Sequence, residues 1–134
     1  MRNRRGAAWA LEARSWAGAK AVRVVSDRLA AWGFASPGCL EAVVRLLVAT
    51  VVADGGRHVS LHLAEQDHTV LVLAFSHRAA PVGGGGCEEA GVLSVLRRLG
   101  ADSCGTETAS EGRQVWALLP LSAPIVSGGR GAPG

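Results

Sequence analysis

The sequence predicts an α+β fold, a two-layer sandwich in which three helices cover one face of a mixed, mostly antiparallel sheet. Three observations carry this expectation. Cys39 to Gly56, CLEAVVRLLVATVVADGG, is a helix whose apolar residues Leu40, Val43, Val44, Leu47, Val48, Val51 and Val52 repeat at the 3.6-residue period. Thr69 to Ser76, TVLVLAFS, is a strand apolar on both faces and therefore central in its sheet. The remaining strand patterns fall in pairs joined by short polar turns, in the order β, α, α, β, β, loop, α, β, β, which favours hairpins over parallel crossovers.

The elements follow in order. Residues 1–7 hold arginines and glycine without periodicity and are expected as a flexible tail. Trp9, Leu11 and Ala13 alternate with Ala10 and Glu12 as a first strand. Between about Trp16 and Trp32 the apolar set Val22, Val25, Leu29 and Trp32 opposes Lys20, Arg23 and Asp27, an amphipathic helix ended by Gly33. Ser36 and Pro37 are candidates to start the central helix. That helix is apolar nearly all round, with Ala42, Leu46, Ala49, Thr50 and Ala53 opposite the main stripe, so both sides are expected to be covered. Glu41 and Arg45 are placed to pair one turn apart.

After the helix, Val59, Leu61 and Leu63 alternate with Ser60 and His62, and residues 65–68 make the turn into the central strand. Of that strand, Leu71, Leu73 and Phe75 are expected to face the helices, leaving Val70, Val72 and Ala74 outward. HRAAPVGGGG, residues 77–86, is expected as a loop, because successive glycines cost the most backbone entropy and offer no side chain to pack. Glu88 to Leu99 returns to helical spacing, Ala101 to Thr108 and Arg113 to Leu119 make the last hairpin, and residues 122–134 read as a second flexible tail. One domain is expected over residues 8–121, long enough to fold around a core without cross-links.

Composition bounds the function. The net charge is +3, with basic residues scattered among acidic ones, so no nucleic-acid interface is expected. Cys39, Cys87 and Cys104 are odd in number and form no CxxC pair, which fits reduced thiols in a cytoplasmic protein better than a disulfide framework or a metal site. No secretory leader and no membrane span is read from the chain, since Glu41 and Arg45 interrupt its most apolar run. His58 and His62 share a strand face but stand roughly 13 Å apart, too far to share a metal. No nucleophile-elbow motif frames a serine, and the four tryptophans do not cluster into a base-stacking platform.

The run Ala30-Ala31-Trp32-Gly33, then LLVATVVADGG, a hairpin, a glycine-rich loop opening a helix at Ala90-Gly91-Val92, Ala101-Asp102-Ser103-Cys104-Gly105 and GRQVWALLPL resembles the small actinobacterial ATP-binding regulators. These are similar to the anti-sigma-factor serine kinases of the histidine-kinase and Hsp90-like ATPase superfamily, and the resemblance spans about residues 9 to 120. It implies a histidine-kinase-like ATPase fold, ATP and magnesium as ligands, and a sigma factor or an anti-anti-sigma-like protein as partner. The resemblance also assigns places for the chemistry. The general base falls at Leu46 and the magnesium-holding amide at Thr50, with Asp54 one turn further on as a substitute carboxylate. The adenine-binding carboxylate falls at His77, whose neutral imidazole offers one acceptor nitrogen; a polar residue ending a strand is the plainer reading of it. The phosphate-facing loop falls at Gly83 to Gly86 and Gly91, beside Glu88 and Glu89, which would repel phosphate.

Leucine neither takes a proton nor ligates a metal, and a threonine hydroxyl is a weak magnesium ligand. The expectation is therefore a catalytically degenerate, regulatory protein-binding module with no resident cofactor or metal, its outward sheet face binding a protein partner or a second copy. The alternative is a working ATP-dependent serine kinase acting on an anti-anti-sigma partner, with ATP and magnesium held at Thr50, Asp54, His77, Gly86 and Gly91.

Overall fold

A computed structural model describes residues 5–53, 57–66, 68–77, 86–109 and 112–121. The elements are β1 (Arg5–Glu12), α1 (Ala17–Ala31), α2 (Leu40–Val52), β2 (His58–Gln66), β3 (Thr69–Ser76), α3 (Gly86–Leu99), β4 (Ser103–Ala109) and β5 (Gly112–Pro120). The fold is α+β: one five-stranded sheet in the order β1-β2-β3-β5-β4, packed against three helices. Every pairing is antiparallel, so the expected mixed character is absent among the described strands, while β3 is central as its two apolar faces required. The first strand starts at Arg5, three residues inside the expected tail. Its backbone continues to pair with β2 as far as Glu65, and such pairing does not depend on side-chain pattern. Residues 122–134, expected as a tail, lie outside the described residues.

Helix α2 holds the middle of the helical layer, against β2, β3 and β5, with α1 on one flank and α3 on the other. Its stripe Leu40, Val43, Val44, Leu47, Val48 and Val51 is fully buried, and each such side chain contributes about 1.5–3 kcal/mol of hydrophobic stabilisation. The opposite side is not covered: Ala42, Ala49 and Ala53 are exposed, and only Leu46, Thr50 and Val52 are half-buried. Alanines expose too little apolar surface to require a second layer, so the two-sided cover expected of this helix does not occur. Arg45 Nε reaches Glu41 Oε2 at 3.1 Å, the expected pair along the exposed side. Neither Ser36 nor any other side chain caps α2; Cys39 holds the N-cap position and the Leu40 N–H donates to the Pro37 carbonyl.

Helix α1 buries Ala17, Ala21, Val25 and Leu29, with Lys20, Arg23 and Asp27 in solvent. Helix α3 begins two residues before the glutamates expected to open it and anchors on Leu96.

The parity of β3 is the reverse of the expectation. Val70, Val72 and Ala74 are buried beneath the helices, and Leu71, Leu73 and Phe75 point to the other side. The buried faces of β2 and β5 match them, Val59, Leu61 and Leu63 on one side and Val115, Ala117 and Leu119 on the other. On β3 itself the smaller set, Val70, Val72 and Ala74, faces the helices and the larger set faces outward. Gly112 opens β5 hard against β3: a Cβ there would collide with the Ser76 carbonyl oxygen.

Candidate functional site

A cleft of about 510 Å³ opens where the C-terminal half of α2, the middle of α3 and the start of β5 converge. Leu46, Thr50, Ala53, Gly91, Val92, Val95 and Arg113 line it. Each arrives there for a local reason. Leu46, Thr50 and Ala53 follow one another along the half-covered side of α2, Val92 and Val95 stand beside the Leu96 anchor of α3, and Arg113 continues the inward parity of Val115, Ala117 and Leu119.

Three of the positions assigned by resemblance therefore meet in one place: Leu46, Thr50 and Gly91. Gly86 is the first residue of α3, at the far end of that helix's opening turns from Gly91. Asp54 lies outside the described residues, as do Gly83, Gly84 and Gly85. His77 stands apart. Its Nε2 is 2.6 Å from Ser60 Oγ, its ring meets Phe75 edge-on with centroids 4.7 Å apart, and both neighbours belong to the outward face of the sheet. The backbone alternation that turns Ser76 inward turns His77 away from the cleft.

The polar groups of the cleft are engaged with the protein itself. The Thr50 hydroxyl donates to the Leu46 carbonyl at 2.7 Å, the back-bond to the preceding turn that a mid-helix threonine commonly makes. Arg113, only 6 % exposed, donates from Nη2 to the Thr50 carbonyl at 3.0 Å. That carbonyl belongs to the last turn of α2, where helical carbonyls lack intrahelical partners and the helix dipole favours a cation. Arg113 thus fastens the end of α2 to β5 and sets a positive charge beside Thr50. A guanidinium in this position repels a divalent metal, and among the described residues none that lines the cleft carries a carboxylate.

Arg113 is the site residue not singled out in the sequence. The signal was present, since Arg113 shares the parity of three apolar residues in a strand that had to bury one face.

The outward face of the sheet forms a second surface. Across it Leu71 stands between Ala64 and Leu118, Leu73 between His62 and Trp116, and Phe75 between Ser60 and Gln114. Strand β1 adds Gly6, Ala8 and Ala10, and β4 adds Ser103, Gly105 and Glu107. The Trp116 ring abuts Gly105 of β4, close enough that a Cβ there would fall 2.6 Å from its Cζ2. Glu107 sits at the β4 edge and accepts a hydrogen bond from Gln114 Nε2 at 2.6 Å.

The remaining conspicuous residues stay separate. Trp9 packs against the core beneath Arg28, Trp32 is half-buried, and Trp16 is 44 % exposed near Lys20. Cys39 and Cys104 are free thiols. Among the described residues no group of histidine, cysteine and acidic side chains could hold a metal, and no helix is long and apolar enough to cross a membrane. No protein-family model and no curated protein sequence matches the chain.

Proposed function

We propose that the chain is a regulatory protein-binding module on a histidine-kinase-like ATPase fold, similar to the anti-sigma-factor regulators, whose nucleotide cleft no longer supports phosphoryl transfer. The observation that carries this reading is the lining of the α2–α3–β5 cleft, which brings together Leu46 and Thr50, the positions that the resemblance gives to base and magnesium ligand. Phosphoryl transfer needs a group to orient or deprotonate the nucleophile and a metal to neutralise developing charge. Leu46 supplies neither, and the Thr50 hydroxyl proton is committed to its own helix beside the Arg113 guanidinium. The order of elements and the single helical layer over an antiparallel sheet support the assignment of architecture.

The working surface in this reading is the outward sheet face, through which a protein partner of the sigma-factor or anti-anti-sigma class, or a second copy, would dock. Contiguous apolar patches of several hundred Å² mark interfaces in soluble proteins.

The competing reading is an ATP-dependent serine kinase. It is favoured by a buried arginine beside Thr50 in the cleft, since a guanidinium attracts phosphate. Turnover separates the two. The purified protein, incubated with radiolabelled ATP and magnesium alone and with candidate anti-anti-sigma proteins, is expected to release no phosphate and to label no protein. Magnesium-dependent labelling that Thr50→Ala removes would establish the kinase instead.

A further inference from the structure

One corner of the outward sheet face gathers side chains that the α2–α3–β5 cleft does not use. Ser60 of β2 and His77, which follows β3, meet there with Oγ 2.6 Å from Nε2, the distance at which a histidine takes the proton of a serine hydroxyl. Phe75 meets the His77 ring edge-on, 4.7 Å between centroids and 84° between planes, and Phe75 is also the cross-strand neighbour of Ser60. Packing and hydrogen bond together hold the imidazole on the Ser60 side. The register that pairs Val59 with Ser76 brings His58 and His77 into the next row, where His58 pairs with Glu12 of β1.

Beside that row lies a cavity of about 410 Å³, lined among the described residues by Glu12, Ala13, Arg14, Arg57 and His58. Arg14 is tied to Glu12 at 3.2 Å, while Arg57 is exposed and enters no ion pair among the described residues. The cavity therefore offers a cation next to a paired hydroxyl and imidazole.

We propose that Ser60 is a nucleophile with His77 as its base, and that this corner hydrolyses small esters that carry an anionic group. The anion lies against Arg57 and the reacting carbonyl against Ser60. His58, two positions away on the same strand face, is the donor to the oxyanion. In the first step Ser60 Oγ bonds to the carbonyl carbon and its proton passes to His77 Nε2. That proton goes to the alcohol oxygen as the bond from this oxygen to carbon breaks. Water then attacks the acyl group on Ser60 and gives a proton to His77, and the Ser60 oxygen leaves with it. Ester and water become acid and alcohol. Ser60 is half-buried and His77 exposed on open strand backbone, so the pair is reached from solvent without the strained turn of a nucleophile elbow.

The test is acylation of the purified protein by two esters of equal acyl length, 4-nitrophenyl hydrogen adipate, which is anionic, and 4-nitrophenyl hexanoate, which is neutral. Nitrophenol release is read above the spontaneous rate of each, and peptide mass locates the acyl group. The wild type is expected to carry the adipoyl group on Ser60 and to react faster with the adipate. Ser60→Ala should lose that label, and His77→Gln should slow acylation by about 10²-fold. Arg57→Ala should keep the label and lose the preference for the adipate. None of the three side chains belongs to the core, so circular dichroism should not change. The position of the label in the wild type is decisive without any variant. A wild type that takes no label on Ser60, or a His77→Gln variant acylated as fast as the wild type, overturns the proposal. Equal reaction with both esters overturns the anionic substrate class. Each of these failures leaves the reading of a silent nucleotide cleft standing, because that reading is decided by phosphate transfer.

Discussion

Val72 and Leu73 are neighbours on the central strand with opposite fates. Val72 is wholly buried under α2, while Leu73 stands on the outward face between His62 and Trp116. Val72→Glu buries a carboxylate with no partner, at more than about 4 kcal/mol, a large share of the stability of a domain this size. Cooperative unfolding in urea should be lost for Val72→Glu and kept for Leu73→Glu. The opposite ranking would mean that the sheet presents its other face to the helices. At the same scale Arg113 acts on the end of α2 through the Thr50 carbonyl. Arg113→Met keeps the length and removes the donors, so it should lower unfolding free energy by about 1–3 kcal/mol. An unchanged urea midpoint would show that this hydrogen bond does not hold the helix end.

At the scale of elements, helix α2 was legible in the sequence because its leucines and valines repeat at the 3.6-residue period, while the cover expected on its second side was not met, that side being mostly alanine. Strand β2 was legible for the matching reason, Val59, Leu61 and Leu63 alternating with polar residues. The parity of β3 was not. A strand apolar on both faces carries no label for its inner side, and the size of its side chains does not supply one. The start of β1 was hidden because Arg5 to Ala8 has no side-chain pattern, and its place is fixed by backbone pairing with residues nearly sixty positions away. Leu46, Thr50 and Gly91 were found through resemblance, and the fold brings them to one cleft. Neither the outward turn of His77 nor the meeting of Arg113 with the end of α2 could be read locally. The first depends on which β3 residues face in, and the second on contact between elements 63 positions apart.

Across the whole molecule two surfaces lie on opposite sides of the sheet, and the proposal gives them different work: protein binding to the outward face, and no phosphoryl transfer to the α2–α3–β5 cleft, whose described lining holds Leu46 and Thr50. A ligand that binds only the folded state at about 100 times its dissociation constant adds roughly 2.7 kcal/mol to stability, which displaces the melting of a domain this size by several degrees. Melting the wild-type protein with and without millimolar ATP and magnesium is therefore the most direct measurement. The melting temperature should stay the same. A rise of several degrees that requires magnesium, and that disappears in Thr50→Ala, would contradict the claim that Leu46 and Thr50 have silenced the cleft.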